Sequence, residues 1–171
     1  MNKRSVVSVA AALSVACACT ATSEAKIVVN KGIAGVSVGD SKKSVKSRFG
    51  APFRETCDGK PGNCKPLHWF YKKPKIDVAF YRGKVVHVGT TSKRQRTADG
   101  IGPGTSTKAV RARYPKCRRK EFFFCFLPSG GTKTPPEGHR YTFLQFNDTG
   151  VAYVVVGVVD SKHDGCALGC G

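Results

Sequence analysis

The chain is poor in acid. Eleven aspartates and glutamates stand against 29 lysines and arginines in 171 residues. The carboxylates are scattered singly, so the paired acids of general acid–base chemistry have no signature. No Walker-type phosphate loop occurs. The histidines, His68, His87, His139 and His163, show no metal-ligand spacing. Only Cys166 and Cys170 approach the C-x₂₋₄-C pair of a zinc site. Long apolar runs are also missing, and none after residue 25 would cross a bilayer as a helix. Together these absences leave no visible catalytic, metal or cofactor site. The expectation is a protein without catalytic activity, metal or cofactor that acts through its surface.

What is present begins with an export signal. Lys3 and Arg4 precede an apolar run from Val6 to Ala16, followed by small residues, the pattern of a secretory signal peptide. Ser23-Glu24-Ala25 places cleavage after Ala25. A lipoprotein signal, with Cys17 or Cys19 lipidated, is the alternative. The expected location is secreted, or periplasmic and cell-envelope. Cleavage leaves 146 residues with a formal charge of +17. That length suits one compact domain burying about 70% of its unfolded surface. The charge speaks to partners and solubility rather than to fold.

Six cysteines remain: Cys57, Cys64, Cys117, Cys125, Cys166 and Cys170. An even number in an exported chain argues for disulfides. Six cysteines allow fifteen pairings. Short loops favour Cys57 with Cys64, Cys117 with Cys125 and Cys166 with Cys170.

The chain is organised around one stretch that occurs twice. Gly35-Val-Ser-Val-Gly39-Asp-Ser41-Lys-Lys-Ser-Val45-Lys-Ser-Arg48-Phe49, moved along by 65 positions, becomes Gly100-Ile-Gly-Pro-Gly104-Thr-Ser106-Thr-Lys-Ala-Val110-Arg-Ala-Arg113-Tyr114. A self-match of this quality marks an internal repeat. Each copy starts a short helix. Ser41 and Ser106 are N-caps, and Val45 with Phe49, like Val110 with Tyr114, share one helix face. Gly50 suits the left-handed residue after a helix end.

The first helix is expected over Ser41–Phe49 and the second over Ser106–Tyr114. Ile27–Val29 is a candidate leading strand. Further strands are expected at Arg54–Cys57, Leu67–Tyr71, Ile76–Phe80, Val85–Thr91, Phe122–Leu127, Tyr141–Phe146 and Val151–Val159. Ile76, Val78 and Phe80 alternate on one face. Residues 58–63 and 128–138 are dense in turn formers and read as loops. The fold class is α+β: two tandem units, each a helix followed by an antiparallel meander, forming one sheet with helices on one face. Repeat 1 spans 26–92, repeat 2 spans 93–160, and 161–171 is a cysteine-containing tail.

Val36, Gly39, Ser41, Val45, Phe49, Gly50, Pro52, Trp69 and Tyr71 carry a resemblance. Their order resembles the BamE/SmpA and β-lactamase-inhibitor-protein superfamily. The tandem duplication, with a cysteine pair after the helix region of each unit, is similar to the inhibitor branch. The second copy departs by having Tyr141 and Phe143 where the first has its tryptophan region. The resemblance implies the meander fold and, as one function, inhibition of a secreted hydrolase such as a β-lactamase. No inhibitor contact residue matches a position here.

Gly35-Val-Ser37-Val-Gly39 also fits the G-x-S-x-G elbow of α/β-hydrolases. The repeat argues against it, because position 37 becomes Gly102 while both glycines persist. Asn147-Asp-Thr149 fits a glycosylation sequon but also a hairpin turn. Charge carries the remaining reading. Lys42, Lys43, Lys46, Lys108, Arg111, Arg113, Arg118 and Arg119 cluster on or after the two helices. Stacked copies would present one positive surface to an anionic envelope component or an acidic protein. An open sheet face bearing aromatic rings is the other candidate surface.

Overall fold

The computed structural model describes residues 27–57, 66–117, 124–128, 131 and 133–159. Among these residues ten strands and two helices follow in the order β1 (Ile27–Val28), β2 (Gly32–Ile33), β3 (Val36–Ser37), α1 (Lys42–Phe49), β4 (Arg54–Cys57), β5 (Leu67–Tyr71), β6 (Ile76–Tyr81), β7 (Lys84–Thr90), α2 (Thr107–Arg113), β8 (Phe124–Leu127), β9 (Arg140–Asn147) and β10 (Gly150–Val158). The class is α+β, with most of the structure in two antiparallel sheets.

Both helices start where the serines require. Ser41 Oγ accepts from the Ser44 N–H at 3.1 Å, and Ser106 Oγ from the Ala109 N–H at 3.2 Å. These caps satisfy amides that the first turn leaves free. Gly50 ends α1 with a φ of 75°, as its lack of a Cβ permits. The loop before each helix repeats its bonds. Gly39 donates to the Val85 carbonyl and Gly104 to the Val151 carbonyl. Val85 donates back to Asp40, and Val151 back to Thr105.

The main sheet has the order β4-β5-β6-β7-β10-β9-β8. Strands β5 to β7 form one meander and β8 to β10 another. They join where β7 pairs β10, with Val88 opposite Val156 and His87 opposite Gly157. Alternation then sorts the side chains. Trp69, Val78, Phe80, Val88, Leu144, Val154 and Val156 build the larger core on the helix side. Val45 of α1 and Val110 of α2 are buried in it at 1% and 0% exposure. Both helices therefore work as lids, each anchored by one valine. We expect Val45→Ala or Val110→Ala to cost about 1–3 kcal/mol in chemical denaturation, the range for truncating a buried aliphatic side chain. Losses under about 0.5 kcal/mol would mean that the lids are not anchored there.

Two features differ from the sequence reading. First, Ile27–Val28 pairs with β2, which pairs in turn with β3, in a separate three-stranded sheet, and does not lead the main one. Its residues Ile27, Ile33 and Val36 enter the helix-side core, and β2 meets the central strands β7 and β10. Two-residue strands carry no readable period, which is why β2 and β3 escaped notice. Second, the opposite sheet face is not open throughout. Phe126, Tyr141, Phe143, Val155 and Val159 form a second buried cluster there. Phe126 lies 5.4 Å from Phe143 and 5.8 Å from Tyr141, so the rings bury one another.

Cys117 and Cys125 form a disulfide, with both residues buried. Cys57 is also disulfide-bonded. The sequence-based partners Cys64, Cys166 and Cys170 lie outside the described residues, as do the signal region and the C-terminal tail. No helix among the described residues is long and apolar enough to cross a membrane.

Candidate functional site

The basic residues singled out by the sequence fall into two groups on the helix side. Lys42, Lys43 and Lys46 belong to α1, and Lys108, Arg111 and Arg113 to α2. The small sheet meets β7 and β10, where the two meanders join. Arg118 and Arg119 lie outside the described residues. Lys43, Lys46, Lys108 and Arg111 are exposed. Neither helix has an acidic residue in its first turn, so Lys42, Lys43 and Lys108 stand against the helix dipole there. Lys46 and Arg48 in the last turn of α1 stand with it.

Individual roles diverge. Lys42 is half-buried, and its ammonium lies 5.9 Å over the rings of Trp69 and Phe80. It belongs partly to the core, unlike the exposed Lys43 and Lys46. Arg48 donates to the Gly35 carbonyl oxygen. Arg113 donates to Asp99 at 2.6 Å, and the Tyr114 hydroxyl donates to the other oxygen of the same carboxylate, also at 2.6 Å. Arg113 first, and then Tyr114, holds the Asp99 carboxyl below the usual range. Burial and then Asp99 push the Tyr114 phenol up to about 12. Among the described residues Arg113 is the only lysine or arginine in an ion pair with a carboxylate. Two further acids are held elsewhere: Asp40 accepts from the Ser37 N–H and Glu55 from the Trp69 indole.

Several cations instead rest on rings. The Arg54 guanidinium lies 4.1 Å over Phe70, Lys72 5.1 Å over Phe53, and Arg82 5.3 Å over Tyr81. Such stacking fixes a cation without neutralising it. The sequence reading missed these pairs because they form across strands or at turns, where register decides the contact.

It also missed a polar cluster on the face opposite the helices. Asp77 of β6 accepts from the Tyr153 hydroxyl of β10 at 2.7 Å. Tyr153 spans β7 to reach it, passing over Gly89, where a Cβ would stand 1.8 Å from the hydroxyl oxygen. His87 Nε2 lies 3.9 Å from the same Asp77 oxygen, and the His68 ring is 5.4 Å from the His87 ring. Burial raises the Asp77 carboxyl, and the Tyr153 hydrogen bond partly offsets that. Burial, reinforced by His68, lowers His87 to about 3. Each of these groups stands alone in sequence. The register of four strands assembles them. No cluster among the described residues is arranged to hold a metal ion.

The motif readings also resolve. Ser37 lies in β3 opposite Gly32, and its N–H is held by the Asp40 side chain. The corresponding Gly102 N–H donates to Thr105 Oγ1. Position 37 is thus part of the turn leading into α1. Asn147 Oδ1 accepts from the N–H and hydroxyl of Thr149 and from the Gly150 N–H. The sequon residues close the β9–β10 hairpin.

No protein-family model matches this chain, and no curated protein matches it. Among solved structures, an extracellular protein containing a SCP domain from Bacillus anthracis str. Ames is similar at 13% identity and a TM-score of 0.46. The match covers 71% of this chain and 44% of that one, so the chain spans less than half of that structure. A likeness of this degree carries no functional argument.

Proposed function

We propose that this is an exported, non-catalytic binding protein whose basic helix side contacts an anionic envelope component or an acidic protein. The observation behind this reading is the unbalanced charge. Exposed Lys43, Lys46, Lys108 and Arg111 have no carboxylate partner among the described residues. Cations left unpaired by the fold are available to a ligand that brings the counter-charge. The Cys117–Cys125 disulfide fits an oxidising, extracytoplasmic compartment. We read the chain as two copies of one unit, a reading supported by the matched caps and matched loop hydrogen bonds before α1 and α2.

The test is binding of labelled dextran sulfate across salt. The expected affinity is micromolar or weaker, falling at least about tenfold between about 50 and 200 mM salt, as counterion release requires. Replacing Lys43, Lys46, Lys108 and Arg111 by Gln is expected to weaken binding at least about tenfold with little loss of stability. Lys42 is left unaltered because its removal would also strip packing from Trp69 and Phe80. Binding indifferent to salt, or unchanged in the variant, would overturn the helix-side reading. It would favour the alternative, a protein inhibitor of a secreted hydrolase acting through the sheet face.

A further inference from the structure

The two edges of the main sheet are unlike. On the β8 edge, Phe126 pairs with Gly131, whose carbonyl accepts the Phe126 N–H at 2.9 Å. On the β4 edge, Arg54–Thr56 pair with β5 on one side, and no described residue pairs with them on the other. Their side chains are exposed. Phe53, just before the strand, is the most exposed large apolar side chain among the described residues, at 54%.

Charge selects what such an edge accepts. Arg54 is fixed over Phe70 and Lys72 over Phe53, and neither has a carboxylate partner among the described residues. Glu55, the one acid on the strand, is drawn to the helix side by the Trp69 indole N–H. Charged, short edge strands repel unwanted strands. With a formal charge of +18, a second copy of this chain is the partner most strongly repelled. The same cations favour an acidic strand, since one charge pattern works against one partner and for another.

We propose that residues 53–56 are a docking edge for an extended acidic segment of a partner protein. The segment adds beside β4 as one more strand. Its carboxylates meet Arg54 and Lys72, and an apolar side chain packs on Phe53. Strand addition supplies affinity through the main chain and specificity through alternate side chains. The inference goes beyond the helix-side reading and shares with it only the acidity of the partner.

The experiment compares two peptides of equal charge by NMR titration of the protein: alternating Glu-Val, which can extend as a strand, and the same Glu-Val sequence with every backbone nitrogen methylated, which cannot donate to a ladder. The expected result is shift changes and slowed amide exchange at Arg54–Thr56 with the Glu-Val peptide alone. Arg54→Gln with Lys72→Gln is expected to reduce its affinity at least tenfold, while the helix variant with Lys43, Lys46, Lys108 and Arg111 replaced keeps it within twofold. Both variants are checked for native amide dispersion. Equal binding of the two peptides, or loss of binding in the helix variant with β4 undisturbed, would overturn the proposal. Salt-sensitive dextran sulfate binding surviving in the Arg54 and Lys72 variant separates this edge from the helix side.

Discussion

Gly150→Ala is expected to destabilise the protein by about 2–4 kcal/mol, from backbone strain plus a clash that cannot relax cheaply. Gly150 opens β10 with a φ of 142°, a conformation that L side chains rarely adopt. A Cβ there would stand 2.3 Å from the Thr105 carbonyl oxygen and 3.0 Å from the Ser106 Cα. Both are backbone atoms at the start of α2. The same oxygen accepts the Val151 N–H at 2.9 Å, so the hairpin and the helix cap are locked together at this point. Gly83 provides the control. Its φ is 77°, yet a Cβ there meets nothing within 4 Å. Gly83→Ala is expected to cost roughly 1 kcal/mol, the conformational part alone. Urea midpoints for the two variants measure the difference, and equal losses would refute the locking of hairpin to cap.

A second large effect is expected in acid. His87 is neutral in the folded chain, with burial holding its pKa at about 3 instead of the ordinary 6.5. The unfolded chain therefore takes up this proton first as pH falls. Stability from His87 is fully present above pH 6.5 and is lost progressively down to about pH 3. At 1.36 kcal/mol per pKa unit the loss is on the order of 5 kcal/mol. Asp77 acts in the opposite sense. Its raised pKa means that the folded chain binds that proton more readily, adding stability as pH falls through its folded value. The remaining titratable groups at this site are His68 on β5, Tyr153 on β10 and Tyr141 on β9. Burial and Asp77 keep Tyr153 protonated well beyond this range. The net expectation is a fall in denaturation free energy between pH 6.5 and pH 3, flattened in His87→Asn. An equal fall in the variant would place the acid sensitivity elsewhere.

Much of the local structure was legible because it rests on local chemistry. Ser41 and Ser106 announce their helices through capping, and the Ile76, Val78 and Phe80 alternation announces a half-buried strand. What could not be read is pairing between distant segments. Nothing in residues 84–90 says that they lie beside 154–157, yet this one contact unites the sheet. The polar cluster was invisible for the same reason, since His68, Asp77, His87 and Tyr153 converge only through four-strand register. The basic surface was legible as charge, but sequence could not tell a solvated lysine such as Lys43 from Lys42, which lies over two rings.

The small sheet has a consequence for how the chain matures. Asn30 bonds through both its N–H and its side-chain oxygen to the Thr142 hydroxyl, and Arg140 donates to the Val38 carbonyl. Asn30 and Val38 thus have hydrogen-bond partners 112 and 102 residues later in the chain. Such distant closures are slow to form. During vectorial synthesis, the core that takes in Ile27, Ile33 and Val36 is incomplete until β9 and β10 have emerged. A chain stalled on the ribosome before residue 140 therefore lacks part of the cover over Ile27, Ile33 and Val36, and partly exposed apolar surface is what chaperones and proteases recognise.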